Sequence, residues 1–438
     1  MKVHTIGGYE EIGKNMTAVE TDDGEVVIFD MGYDMEEVVA AEDQIDELTT
    51  NQTLETGAIP KDKQIMDKNV VAIVIGHGHL DHVGAIPKLA GQYDAPILCT
   101  PFTKKIIENG MEGDRKNINN ELVELETGDK YEINSKKSLE FLHVNHSIPD
   151  ATLSLLRTEE GNVVYGNDMK FDRSPVIGKN TDSERLKEVG EEGVRVMVPG
   201  TTSVDEPGRV KPEKAVQVEL DNVLNACYDA GGAVFVTTFS SQIARLNSIL
   251  DANNGRRKVA FMGRSLREYT EAAEKLDLID LSDVKMVSYF DECKELMDRV
   301  DGEREEWLIV ATGNQGEPGA QMDKVASQTY PFKFKEGDHV IFSSRTIPTP
   351  PTRANRYNLE KKMKEQGVRL YKNVHTSGHA KKEDHRDFIK FFDPDNIIPS
   401  HGHIQKLGSY VELARQEGYT LNEDIFISEN QSVIDLEE

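Results

Sequence analysis

The chain has 438 residues, with 51 lysines and arginines against 78 aspartates and glutamates, for a formal charge of −27. Hydrophobic residues make up 37% and charged residues 29%, which describes a soluble globular protein with a heavily ionised surface and about two to four domains. The longest strictly apolar run, Val70 to Ile75, is too short to span a membrane, and three scattered cysteines with no CxxC pair exclude a disulfide framework and a cysteine zinc module.

The start, MKVHTIGGYEEIG, lacks the apolar core of a secretory signal, and the cysteine usage suits a reducing cytoplasm. In chain order, Val26 to Phe29 and Val70 to Ile75 are predicted as buried strands, the second covered on both faces. The acidic stretch between them, Met31 to Asn69, carries a net −7 and is predicted as helix plus solvated connection. Phe141 to Val144 and Val163 to Tyr165 are further strands, each ending near polar functional groups. A second α/β unit begins after Thr201: strand Ala233 to Thr237, a helix carrying Ile243, Leu246, Ile249 and Leu250 at helical spacing, then strands Leu308 to Ala311 and Val340 to Phe342. Residues 344–356 hold Pro348, Pro350 and Pro351 and no acid, which predicts a loop. From about Tyr357 the chain returns to helix, loop and helix before a closing α/β segment around His401.

The densest chemistry follows the strand Val70 to Ile75: His77-Gly78-His79-Leu80-Asp81-His82. Four ligand-type side chains in six residues leaving a strand end can converge on a small volume. Imidazole with carboxylate is an apt donor set for a hydrolytic metal. Without a cation, gathering so many titratable groups would be destabilising.

HxHxDH is the hallmark of the metallo-β-lactamase fold, and the rest of the chain resembles that fold's pattern in order. Asp30, ending VVIFD, resembles its first motif, His146 in HVNHSIPDA its third, and Asp168 in YGNDMKFD its fourth. The resemblance implies an α/β fold, the αββα sandwich. It also implies one metal on His77, His79, His146 and Asp168 and another on Asp81, His82, Asp168 and a late histidine. Asp30 would support the metal loop from behind. SGHA around His379 and PSHGH around His401 resemble motifs B and C of the β-CASP branch, in which an extra α/β domain interrupts the hydrolase fold. His401 then completes the second metal and His379 faces the scissile phosphate.

Within that branch GGYEEIGKNM, IGHGHLDHVGAIP, HSIPDA, TGNQGEP and TSGHAKKED are similar to the signatures of ribonuclease J, over nearly the whole chain and in what looks like the short archaeal form. This resemblance implies domains over residues 1–202, 203–355 (β-CASP) and 356–438. The implied activity is a two-zinc ribonuclease, with Mn²⁺ or Mg²⁺ able to serve in vitro. It would degrade single-stranded RNA 5′ to 3′ from a 5′ monophosphate, as a homodimer or within an RNA-decay assembly in the cytoplasm. Asp81 and His379 are the catalytic candidates. Phe239, Ser240, Ser241, Ser377, Gly378 and His379 are the candidate substrate contacts, at the 5′-phosphate end. Pro199 and Gly200 stand where motif A would supply an acid; the nearest acid downstream is Asp205.

Two cationic stretches in an otherwise acidic chain, Gly231 to Thr270 at net +4 and Ile341 to Asn358 at net +3, are expected to contact phosphates. His339 and His385 are expected at the surface, and His4 at a strand end. An endoribonuclease or a DNA nuclease with the same metal site is the main alternative. A small-ester hydrolase or an inactive scaffold fits less well, the first for lack of need of a cationic insert and the second for lack of need of all seven ligands.

Overall fold

A computed structural model describes residues 1–40, 47–113, 118–166, 168–347 and 349–436, so part of the acidic stretch and Pro348 lie outside the described residues. The chain divides into two compact units. The first comprises Met1–Phe171, Lys179–Val210 and Gly378–Glu438; the second, inserted into it, comprises Asp172–Gly178 and Lys211–Ser377. Among the described residues no helix is long and apolar enough to cross a membrane.

The first unit is built on two sheets. Strands β1 (Lys2–Gly7), β2 (Met16–Glu20), β3 (Glu25–Phe29), β4 (Asn69–Val74), β5 (Ile97–Cys99) and β6 (Leu122–Glu124) line up in sequence order. The last strand of the chain, β19 (Ser432–Asp435), pairs antiparallel with β1 and completes seven strands. The second sheet is formed by β7 (Lys130–Asn134), β8 (Lys137–His143), β9 (Thr152–Thr158), β10 (Gly161–Gly166), β11 (Val196–Pro199) and β18 (Asn396–Ile397). One apolar cluster joins the facing sides of both sheets: Val19, Val27, Phe29, Val74 and Leu98 meet Leu139, Phe141, Leu156, Val163 and Tyr165. The Phe29 and Tyr165 rings stack with centroids 4.9 Å apart. A second cluster packs the other face of β8–β11 against helices Ser183–Glu192, Lys382–Phe392 and Ile404–Gln416. This is the sandwich expected from the HxHxDH pattern. It sets the ends of β3, β4, β10 and β18 to deliver side chains to one rim.

The inserted unit has a six-stranded parallel sheet in the order β14 (Val284–Val287), β13 (Lys258–Met262), β15 (Trp307–Ala311), β12 (Val234–Thr237), β16 (His339–Phe342), β17 (Arg369–Tyr371). The continuous apolar runs of β12 and β15 are fully buried because helices cover both faces of a parallel sheet.

Several expectations change here. Residues 350–356 are not loop: Thr349 caps a helix over Pro350–Glu365, accepting the Thr352 N–H. Both prolines fall in its first turn, where a missing N–H breaks no helical bond and the fixed φ favours the helix. That helix and β17 belong to the inserted unit, so the return to the first unit comes at Gly378 rather than residue 356. His339 and His385 are buried rather than on the surface, the first in a central strand and the second on the apolar side of its helix. His4 lies inside β1, paired at 2.7 Å with Glu20.

Candidate metal centre

The loop after β4 is shaped by what stands beside it. β3 runs parallel to β4, so Asp30 leaves its strand next to the start of the histidine loop. Asp30 sits at φ 60°, a left-handed conformation that a non-glycine residue holds only under tertiary constraint. One carboxylate oxygen accepts the Gly76 N–H at 3.1 Å; the other accepts the Tyr165 hydroxyl at 3.0 Å and His82 Nδ1–H at 2.6 Å. Asp30 thereby holds the Nδ1 proton of His82, which leaves Nε2 as the nitrogen that a metal would take. Gly32 permits the close approach of the loop: a Cβ there would lie 1.6 Å from the Asp81 carbonyl oxygen.

His146 follows β8, and its Nδ1–H donates to the Gly378 carbonyl at 2.7 Å, leaving Nε2 to face inward. Asp168 follows β10, with its carboxylate almost wholly shielded from solvent. His401 stands beyond β18 at φ 55°, its N–H bonded to the Gly8 carbonyl and its Nδ1 3.0 Å from Asn15 Oδ1. Asn15 also donates from Nδ2 to the Asp81 carbonyl at 3.0 Å, so one buried amide braces two of the candidate ligands. Sequence reasoning gave Asn15 no role. Its place inside the GGYEEIGKNM signature was the available signal, but only folding brings it to His401.

Two donor sets result: His77, His79, His146 and Asp168, and Asp81, His82, Asp168 and His401, each with its ligand atoms within 4.8 Å of one another. Asp168 belongs to both. Its Oδ2 is 3.7 Å from His77 Nε2, 3.5 Å from His146 Nε2 and 3.5 Å from His82 Nε2, while Oδ1 is 3.4 Å from His401 Nε2. Asp81 Oδ2 is 3.6 Å from both His82 Nε2 and His401 Nε2. These spacings are long for hydrogen bonds. They match the edge of a tetrahedron whose ligands stand about 2.1 Å from a central ion, which is about 3.4 Å. Asp168 Oδ1 is buried with no hydrogen-bond donor among the described residues, an orphaned acceptor that a cation would satisfy.

Electrostatics points the same way. Burial, reinforced by the neighbouring rings, holds His77 far below the ordinary histidine pKa. Burial likewise lowers His146 strongly, and it pushes His79 down to about 4. All three are therefore neutral at pH 7, the form that ligates. His82 goes the other way: burial opposes its protonation, but the Asp81, Asp30 and Asp168 carboxylates outweigh it and raise the pKa well above the ordinary value. A site that draws a proton onto a buried histidine lacks positive charge of its own. The residues fit a pair of divalent cations.

His379 stands at the open side of the cluster, with 30% of its side chain exposed and Nε2 3.3 Å from Asp168 Oδ2. Burial disfavours its cation, yet the Asp168 carboxylate wins and raises its pKa. Backbone contacts hold it on both sides: Gly378 through His146, and the Ala380 N–H through the Met169 carbonyl at 2.6 Å. Gly378 is also pressed against Ser147, where a Cβ would come within 2.7 Å.

Residues 10–201 match the family described as the metallo-beta-lactamase superfamily, residues 231–358 the ribonuclease J beta-CASP domain, and residues 368–428 the Zn-dependent metallo-hydrolase RNA specificity domain. The chain is 40% identical to a ribonuclease J of Methanocaldococcus jannaschii over 444 residues, covering 100% of this chain and 99% of that one. This chain belongs to the ribonuclease J family. A second family member, from Pyrococcus abyssi, is 40% identical over 441 residues (100% of this chain, 97% of the relative), and the Thermus thermophilus ribonuclease J is 30% identical over 94% of this chain and 70% of its own. A crystal structure of a protein of unknown function from Enterococcus faecalis shares the fold at TM-score 0.66 and 16% identity, over 99% of each chain.

Gly200, at the position where the resemblance would place the motif A acid, follows β11 with its N–H on the Gly166 carbonyl. Asp205 is about half exposed and paired with Lys406. The remaining candidates lie in the inserted unit, except Gly378. Phe239, Ser240 and Ser241 follow the carboxyl end of β12, and Ser377 closes the unit. The Ser240 hydroxyl meets that of Ser265 at 2.8 Å, and the cap of the following helix is Gln242, whose side chain makes no cap bond. The β12, β15 and β16 termini share one edge, the edge at which parallel sheets bind ligands.

Of the nine basic residues in the two cationic stretches, three are buried and five exposed. Arg245, Arg257 and Arg356 are buried, bonded to the Glu213 carboxylate, to the Gly232 carbonyl, and to the Asn314 carbonyl with Glu360. Arg256 pairs with Asp229, and Lys258 with Glu306. Among the described residues Arg264 and Arg353 are exposed without a carboxylate partner.

Proposed function

We propose that this chain is a cytoplasmic, two-zinc ribonuclease that hydrolyses single-stranded RNA from the 5′ end, with preference for a 5′ monophosphate. The observation that carries the reading is the pair of donor sets sharing Asp168, at ligand spacings suited to cations. The names of its ribonuclease J relatives, and the match to a family described by RNA specificity, support RNA as the substrate. Bound divalent ions would supply positive charge to the scissile phosphate and lower the pKa of the attacking water.

The protein's own groups do the rest. Asp81, whose carboxylate stands between His82 and His401, is placed to accept the water's proton. His379, whose pKa the Asp168 carboxylate raises, offers a proton or a charge-assisted hydrogen bond to the leaving oxygen. Asp30 holds His82 in its ligating tautomer throughout. The hydroxyls of Ser240 and Ser241, with Phe239 beside them, are assigned to the terminal phosphate.

The test is hydrolysis of 3′-labelled RNA bearing a 5′ monophosphate, triphosphate or hydroxyl, with single-stranded DNA of the same sequence alongside. Release of mononucleotides, fastest from the monophosphate and absent after chelation, is expected. Discrete internal fragments alone would make the enzyme an endonuclease, and equal attack on DNA would remove the RNA assignment.

A further inference from the structure

We infer that the buried Arg245–Glu213 pair is a positioning device for the segment Val374–Ser377, and that it serves the proposed hydrolysis through that segment; the inference therefore rests on the ribonuclease reading. Residues 372–377 form neither helix nor strand, so no backbone ladder fixes them. They lead in sequence directly into Gly378 and His379.

What fixes this stretch is side-chain hydrogen bonding from inside the inserted unit. Arg245 is fully buried and Glu213 nearly so. The guanidinium meets the carboxylate as a two-pronged fork, Nε to Oε1 at 2.6 Å and Nη2 to Oε2 at 3.0 Å. Nη1 is turned away from the carboxylate. It donates to the Ser343 carbonyl and hydroxyl, both at 2.8 Å, and reaches the Val374 carbonyl at 3.4 Å and His375 Nδ1 at 3.3 Å. The Ser343 hydroxyl in turn donates to the Val374 carbonyl at 2.8 Å. The Thr376 hydroxyl adds a bond to the Lys211 carbonyl at 2.8 Å. Glu213 is itself anchored, its N–H donating to Asp172 Oδ2 at 2.8 Å. One guanidinium thus ties together the start of the helix Glu213–Ala230, the residue after β16, and the irregular segment.

Cohesion alone does not require this arrangement. A buried ion pair usually contributes no more stability than apolar side chains of the same volume. An apolar pair cannot, however, direct N–H groups at a carbonyl and a ring nitrogen. Direction is what a segment without secondary structure needs when it leads straight into Gly378 and His379, since small misplacements are costly in rate.

The test compares the full-length wild-type chain with the double variant Glu213→Leu/Arg245→Met, which removes both charges and refills the volume. The expected result is a Tm close to wild type, with amide hydrogen exchange at residues 374–377 at least about tenfold faster and that of β12 and β15 unchanged. Hydrolysis of 5′-monophosphorylated RNA is expected to lose about 10- to 100-fold in kcat, with KM far less affected. Unaltered exchange at 374–377, or wild-type kcat despite faster exchange, overturns the inference. An inactive wild-type chain would instead count against the ribonuclease reading, and the exchange data would still decide whether the pair positions the segment. If the double variant does not fold, Ser343→Ala gives the same exchange readout without burying a lone charge, and no change there is equally fatal.

Discussion

In the first unit, seven ligand-type side chains face one another, and a carboxylate oxygen of one of them, Asp168 Oδ1, has no donor among the described residues. In the inserted unit, Arg245, Arg257 and Arg356 are as thoroughly buried, but their N–H groups end on carboxylates and carbonyls. Both regions stand out in the sequence as dense polar chemistry, and only one is left short of charge. Counting satisfied hydrogen-bonding groups therefore separates a site awaiting a ligand from a scaffold that is complete, where counting charged residues does not.

The contrast can be broken most directly at its shared ligand. Asp168→Ala is expected to lower bound zinc, measured on the purified chain, and to reduce RNA hydrolysis by at least about 10⁴-fold, a small part of a typical enzymatic acceleration. Retained zinc at two ions per chain would end the shared-ligand assignment.

In the inserted unit the matching experiment is Arg356→Ala against Arg353→Ala. Arg356 is buried over the Phe342 ring, 3.4 Å from its centroid, and bonds Glu360 and the Asn314 carbonyl. Its loss is expected to cost about 3 kcal/mol in denaturant unfolding. Arg353 is exposed on the same helix, and its loss should leave stability within about 0.5 kcal/mol. RNA affinity should weaken instead, with the salt dependence shallower by about one ion. Equal effects on stability would erase the distinction between structural and solvent-facing arginines.

The smallest expected effect comes from behind the ligands. Asp30→Asn keeps the shape but weakens the acceptor for His82 Nδ1–H, and zinc affinity measured by chelator competition should fall about 10- to 100-fold. Unchanged affinity would show that the loop orients His82 without help.

The legibility of the site followed sequence distance. His77, His79, Asp81 and His82 are conspicuous because one short loop carries all four. Asp30, His146, Asp168 and His401 had to be placed by resemblance, since each leaves a different strand end and only the folded sheets set them side by side. Asn15 and Tyr165 escaped notice because bracing a ligand from behind leaves no local pattern. The proline-rich residues 350–356 misled because proline suits a helix's first turn as well as a loop, and the choice rests on the cap at Thr349. The cationic stretches were legible only as charge, because the positive charge of an arginine is visible in a sequence while its depth and partner are not.

Taken by itself, the order of residues determined which strands would be buried, that one short loop carries His77, His79, Asp81 and His82, and that a second α/β unit begins after Thr201, because these follow from local hydrophobic periodicity and from chemistry carried by neighbouring residues. Only the tertiary structure decided which groups share Asp168, which arginines face solvent, and which amide supports His401, because burial and pairing are set by contacts between segments hundreds of residues apart.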